Sequence, residues 1–313
     1  MNLCFRAPMR RRLTIVVCVA LGFSVGAASA RSPISLEVLR RDGYGSVDLE
    51  KGGQNRLFVP AEINGKKIRL LLDTGWGADG ITLGVKASEF GIVAEKGPHA
   101  VMSASGARTR IAHGVAQSVA MGNVRIVGTP IYFGRFYESG ILGHGFLKRN
   151  SAIIDLTNLR LYLRPPGKGH RVDLGPALTA VGMAQAPFAE ASHGSYVINV
   201  EVNGAPTQMA LDTGAQLTML DRRFAQAAHT RGWGRDVRQI DAAGKISPAD
   251  FAGTKTFKIE GIPIRTPVVA LARFAGYDLT GGKMVGLLGL DVIGMNWGII
   301  DVAQQKFYFT PAR

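Results

Sequence analysis

Two aspartates carry the chemistry that this chain can offer: Asp73, in Asp73-Thr74-Gly75, and Asp212, in Asp212-Thr213-Gly214. One Asp-Thr-Gly would mean little, because Asp and Gly are common turn residues. Here there are two, each ending an apolar strand-like run (residues 68–73 and 207–212), so two carboxylates can face each other across a pseudo-twofold axis. Like charges held that close cannot both ionise easily, and such a pair shares one proton. Its ionised member can take a proton from water while the protonated one donates to a carbonyl oxygen.

The elements that must position these aspartates are also written twice. A shift of 139 lays residues 58–83 over 197–222 without a gap, with seven identities that include Glu62/Glu201, Asn64/Asn203 and Gly65/Gly204. A shift of 146 lays residues 140–163 over 286–309, with eight identities that include Asn150/Asn296, Tyr162/Tyr308 and a repeated Ile-Ile-Asp ending at Asp155 and Asp301. A period of domain size, with ordered blocks, means one lobe used twice rather than a solenoid. Asn64-Gly65 and Asn203-Gly204 each predict a two-residue hairpin feeding the aspartate strand, which argues for β-rich lobes and against a βαβ unit. Residues 36–48 and 56–63 read as strands, and short helices are expected at 86–90 and 222–229. Pro165-Pro166-Gly167 stops the last strand of the first copy. The expected division is therefore a signal segment 1–30, lobe one 31–164, a linker 165–171 and lobe two 172–313.

With these motifs in order, the chain resembles the pepsin/retropepsin-like aspartic proteases, as an exported bacterial form with two retropepsin-type repeats. The resemblance implies an all-β, bilobal acid-protease fold, two β-barrel-like lobes with short helices, and an endopeptidase acting on peptides or proteins. It assigns catalysis to Asp73 and Asp212, a cross-brace between loops to Thr74 and Thr213, and tight turns to Gly75 and Gly214. Ile141-Leu142-Gly143 and Leu287-Leu288-Gly289 would pack beneath those loops, and no cofactor is implied. Two Gly-tipped hairpins, through Ser105-Gly106 and Ala243-Gly244, would be flaps. The family usually has Ser or Ala after Asp-Thr-Gly; this chain has Ala215 but also Trp76. Without a hydroxyl at either place, the dyad should hold its proton to higher pH. Trp76 also motivates the alternative function, an exported peptide-binding or chaperone-like module that kept the cleft with little or no turnover.

Other function classes fare poorly. Gly75-Trp76-Gly77-Ala78-Asp79-Gly80 has the spacing of a dinucleotide fingerprint, but a hairpin feeds its strand and the second copy lacks the glycines. The six histidines show no metal-ligand spacing, so no metal is expected. The basic residues are scattered, which argues for a solvated basic surface and against a nucleic-acid site. Arg6, Arg10, Arg11 and Arg12 precede an apolar run and Ala28-Ser29-Ala30, the order of a secretory signal. Its removal lowers the formal charge from +14 to +10 and takes both cysteines, Cys4 and Cys18, with it. The expectation is an exported, periplasmic or secreted monomer with no membrane span after cleavage. Its active site would lie in an intramolecular pseudo-dimer.

Overall fold

The computed structural model describes residues 34 and 36–312, apart from 104–105, 107, 168–171, 192–193, 235–236, 242–243 and 266–267. The signal segment 1–30, part of the linker, and the hairpin residues Ser105 and Ala243 thus lie outside the described residues.

Each lobe begins from the predicted hairpin. Leu57–Ile63 pairs with Lys66–Asp73 about Asn64-Gly65, and Tyr196–Val202 pairs with Ala205–Leu211 about Asn203-Gly204. Both asparagines adopt positive φ (47° and 51°), as a primed hairpin turn demands. Their repetition has a second cause. Asn64 donates to Phe90 O and accepts from Ser118 N, while Asn203 donates to Ala228 O and accepts from Lys255 N. In each lobe one amide ties the hairpin tip to the end of a short helix, and further to a neighbouring strand in lobe one and to the bend between two strands in lobe two.

Beyond the hairpin, each lobe closes its sheet in the same way. The aspartate strand runs parallel to Gly140–Gly143 in lobe one and to Met284–Leu288 in lobe two. The long strand Arg108–Met121 of lobe one returns to pair with Leu57–Ile63, through Glu62↔Ala120. In lobe two the same path is split into Ile246–Gly253 and Phe257–Ile259, and Glu201 pairs with Lys258. A third, six-stranded sheet joins the lobes. At its centre the two Ile-Ile-Asp strands pair with each other antiparallel: Ile153↔Asp301, Ile154↔Ile300 and Asp155↔Ile299. That register is the pseudo-twofold axis itself. Strands here alternate buried and exposed or are wholly buried, and one contiguous apolar core, including Leu72, Leu142, Leu211 and Leu288, runs through both lobes.

The structure corrects several local expectations. Residues 36–48 hold a helix, Leu36–Arg41, before the strand Gly45–Asp48. That strand is an edge of the shared sheet, and Leu39, Val47, Leu49 and Leu57 are buried. The segment therefore packs into the fold through both its helix and its strand. The helices at 86–90 and 222–229 are shorter than expected, Ala87–Phe90 and Arg222–Ala227. The gapless alignment at 139 also fails past Gly75. Thr82 pairs with Ile141 as Met219 pairs with Leu287, so lobe one carries two extra residues between Trp76 and Thr82. Among the described residues no helix is long and apolar enough to cross a membrane.

Candidate active site at the lobe junction

Asp73 ends its strand beside Gly143, and Asp212 N donates to Leu288 O at 3.0 Å, so a parallel neighbour sets each aspartate's height. The two loops then lock together. Thr74 N donates to Thr213 Oγ1 (3.1 Å) and Thr213 N donates to Thr74 Oγ1 (3.0 Å). Each hydroxyl also donates across the seam, Thr74 to Leu211 O (2.7 Å) and Thr213 to Leu72 O (2.9 Å). All four bonds are buried, where an unmade bond is costly. They bring the two carboxyls within hydrogen-bonding reach of each other.

Gly75 and Gly214 are needed for a reason other than the turn expected of them. Neither has a positive φ. A methyl on Gly75 would stand 2.6–2.9 Å from the Asp212 carboxyl, and one on Gly214 would stand 2.3–2.6 Å from that of Asp73. Each glycine lets the main chain pass close by the opposite aspartate.

The carboxyls differ. Asp73 and Asp212 are both 8% exposed. Burial, and then the charge of Asp212, push the Asp73 pKa well above the ordinary carboxylate range. Burial raises Asp212 as well, but the N–H groups of Ala215 and Gly214, at 3.0 and 2.8 Å from Oδ1, stabilise its charge. Both carboxyls are thus raised, and the two backbone donors at Asp212 favour its ionised form.

Both Gly-tipped hairpins reach the site. Glu95–Met102 with Arg108–Met121, and Val237–Ile240 with Ile246–Gly253, place Met102, Ser103, Ile240 and Asp241 on the wall of a cavity of about 570 Å³ that also contains Asp73 and Asp212. Gly106 and Gly244 adopt positive φ at the tips (82° and 78°). Ser103 Oγ donates to Asp241 Oδ2 at 2.7 Å, joining the two hairpins above the aspartates. Nothing in the sequence marks this bond, because Ser103 and Asp241 differ in type although they match at an offset of 138. Other lining residues that sequence reasoning missed are Arg56 and Glu138, a half-buried ion pair, and Gln54.

Trp76 does not displace its loop. Its carbonyl accepts His144 N at 2.9 Å as Ala215 O accepts Leu290 N at 2.8 Å. Its indole is buried, donating to Thr82 Oγ1 (2.8 Å) and meeting Phe136 edge-on at 5.2 Å. His144 lies beneath the loop, outside the cleft lining, with Nδ1 3.2 Å from Trp76 O and Nε2 3.4 Å from Glu190 Oε1. Among the described residues no group of three His, Cys, Asp or Glu side chains could hold a metal ion.

A family model described as Aspartyl protease matches the chain twice, over residues 59–147 and 198–292, one match on each aspartate. The crystal structure of aspartic proteinase from Irpex lacteus is similar, with TM-score 0.51 and 14% identity over 86% of this chain and 97% of that one. Basic 7S globulin from soybean gives TM-score 0.46 and 10% identity over 86% and 95% of the two chains. A retropepsin-like aspartic protease from Rickettsia conorii gives TM-score 0.31 and 21% identity over 38% of this chain and 90% of that one. No curated protein matches the sequence.

Proposed function

Because the chain belongs to the aspartyl protease family, we propose that it is an aspartic endopeptidase whose water is activated jointly by Asp73 and Asp212. The observation that carries this reading is the pair of buried, hydrogen-bonded carboxyls on the floor of a cleft roofed by two hairpins. Asp212, steadied by two backbone N–H groups, takes a proton from water as the water oxygen attacks the peptide carbonyl carbon. Asp73 gives its proton to the carbonyl oxygen. Collapse of the tetrahedral intermediate breaks the C–N bond, with Asp212 passing its proton to the leaving nitrogen and Asp73 recovering one from the hydroxyl.

The working unit in this proposal is one chain, with lobes 31–164 and 172–313 tethered at 165–171. A short tether keeps the lobes at an effective concentration in roughly the millimolar range. The chain acts after export, on peptides or proteins, and uses no cofactor. The binding-only alternative was motivated by Trp76, and the matched carbonyl bonds of Trp76 and Ala215, which leave its loop like that of lobe two, weigh against it. The test is digestion of a proteome-derived peptide mixture by the chain starting at Arg31, over about pH 3–8, a span set by ordinary and raised carboxyl pKa values. New peptide termini are expected. Tight peptide retention with no new termini at any pH would leave the binding module as the better reading.

A further inference from the structure

The pseudo-twofold axis allows the two halves of the cleft to be compared wall by wall. Register equates Leu71 with Ala210, Thr82 with Met219 and Tyr132 with Ala270, and the loops equate Trp76 with Ala215. At three of these four places lobe one has a large side chain where lobe two has alanine. The consequence is visible in the cavity. In lobe one the Trp76 indole packs with Tyr132, Phe136 and Ile141, and Thr82, Tyr132 and Phe136 take no part in the lining. In lobe two Ala210, Ala215, Met219, Ala270 and Phe274 all line the cavity, with Met284 beside them. A pocket lined by three alanines, two methionines, Phe274 and Leu287 is apolar, has room at its alanine positions, and can re-pack its methionines around what enters it.

We propose that the site takes a peptide with size asymmetry: a large apolar side chain (Leu, Met or Phe) on the side of the scissile bond over lobe two, and a small one (Gly, Ala or Ser) on the side over lobe one. This rests on the endopeptidase reading, since a scissile bond held over the aspartates puts one flanking residue over each lobe. Trp76 is the specificity-determining residue, because it fills the pocket whose counterpart is open. Excluding an oversized side chain from an apolar pocket is worth roughly 10–200-fold in kcat/KM.

The experiment maps every bond cut in a proteome-derived peptide mixture by the wild-type chain, then by Trp76→Ala, Trp76→Leu and Ala270→Phe. The wild type is expected to enrich Leu, Met and Phe at one flanking position and Gly, Ala and Ser at the other. Trp76→Ala and Trp76→Leu should relax the small position by about 10-fold and leave the large-position preference in place. Ala270→Phe should instead cut the large preference, so one pocket can be tested even if the Trp76 variants do not fold. Equal size preferences on both sides in the wild type would overturn the inference, as would relaxation of the large position by Trp76→Ala. If the wild type cuts nothing, the endopeptidase reading falls separately. Retention on the immobilised chain of peptides centred on Phe-Gly, Gly-Phe and Phe-Phe then decides the pocket question: preferential loss of Phe-Phe supports asymmetry, and equal retention of all three refutes it.

Discussion

In lobe two, Asp212 Oδ1 receives the N–H groups of both Gly214 and Ala215. In lobe one, Asp73 Oδ1 receives Gly75 N–H at 3.0 Å, while Trp76 N–H is shared between the Asp73 carbonyl at 3.2 Å and, more weakly, the carboxyl. Behind these loops the lobes diverge again. Lobe two holds the part-buried Asp291, which accepts from Thr218 N and Oγ1 at 2.9 and 2.8 Å. Its counterpart at the 146 offset is Gly145, where any side chain would meet Asp79 Cα at 2.6 Å and Oδ1 at 2.7 Å. Ala78 and Asp79, in the segment that carries the two extra residues of lobe one, stand where a side chain at Gly145 would go. A duplicated scaffold thus keeps its symmetric bonds where the lobes meet and places its asymmetry in the donors to each aspartate and in the packing behind the loops.

The largest effects should come from the aspartates themselves. Asp73→Asn and Asp212→Asn are each expected to lower kcat/KM by about 10³-fold or more, since either carboxyl alone cannot perform both proton transfers. Both variants should unfold in urea near the wild-type midpoint. Wild-type activity should fail on the acid side as Asp212 takes up a proton. On the basic side it should fail as Asp73 loses its proton, at a pH well above the ordinary carboxylate range. Full activity in either variant would remove the dyad. Restored activity on mixing the two variants would move the site between chains and end the monomer proposal.

The threonine brace should be the most symmetric feature. Thr74→Val and Thr213→Val each strip a buried N–H of its acceptor and a carbonyl of its donor across the seam. Each should cost about 2–4 kcal/mol in urea unfolding, and the two losses should agree within about 1 kcal/mol. A large disparity would mean that one lobe holds its loop without the other.

Much of this symmetry is legible in the sequence because the repeated residues are those whose hydrogen bonds are repeated. Asn64/Asn203 pin hairpin tips, Asn150 and Asn296 donate to Phe146 O and Val292 O, and Thr74/Thr213 bond to each other. The middle of each lobe is not legible. At an offset of 138 the strands from 95 to 133 follow the path of 233 to 271, yet few residues are shared. Those positions answer to packing and to cleft shape, which Tyr132 and Ala270 satisfy differently. The two-residue insertion after Trp76 stays hidden because apolar residues continue on both sides of it. The self-pairing of the two Ile-Ile-Asp strands needs three dimensions, since sequence shows repetition but not its register.

A pH-dependent contrast should follow from Asp291. Burial pushes its pKa to about 6, above the ordinary 3.8. A carboxyl raised in the folded state contributes stability fully below its unfolded pKa and loses it as pH rises through the folded value, here between about pH 4 and 6. Two pKa units correspond to about 3 kcal/mol. Asp291→Asn keeps an oxygen for Thr218 and cannot ionise, so the difference in urea stability between variant and wild type should grow in the variant's favour from pH 4 to pH 7. A difference that stays constant across that range would mean that Asp291 does not titrate as argued, and Asp73 cannot mask this because it is common to both proteins.

The smallest effect belongs to the hairpin bond, and there the lobes again contribute unlike parts. Lobe one supplies the Ser103 hydroxyl and lobe two the Asp241 carboxylate, which also receives Lys245 N at 2.8 Å within its own tip. Removing the hydroxyl leaves that tip bond intact, whereas removing the carboxylate loosens the bridge and the tip together. In the open cleft water replaces Ser103 at Asp241, so the net worth of the bridge is about 1 kcal/mol. Ser103→Ala is therefore expected to speed peptide association up to about fivefold with kcat unchanged, because opening precedes entry while the aspartates are untouched. Asp241→Ala should speed association similarly but lower kcat as well, since a loosened tip covers the bound peptide poorly. Stopped-flow association and steady-state turnover on one fluorogenic peptide separate the two. If Ser103→Ala lowers kcat as much as Asp241→Ala does, the bridge is part of the closed catalytic state rather than a latch that must open before it.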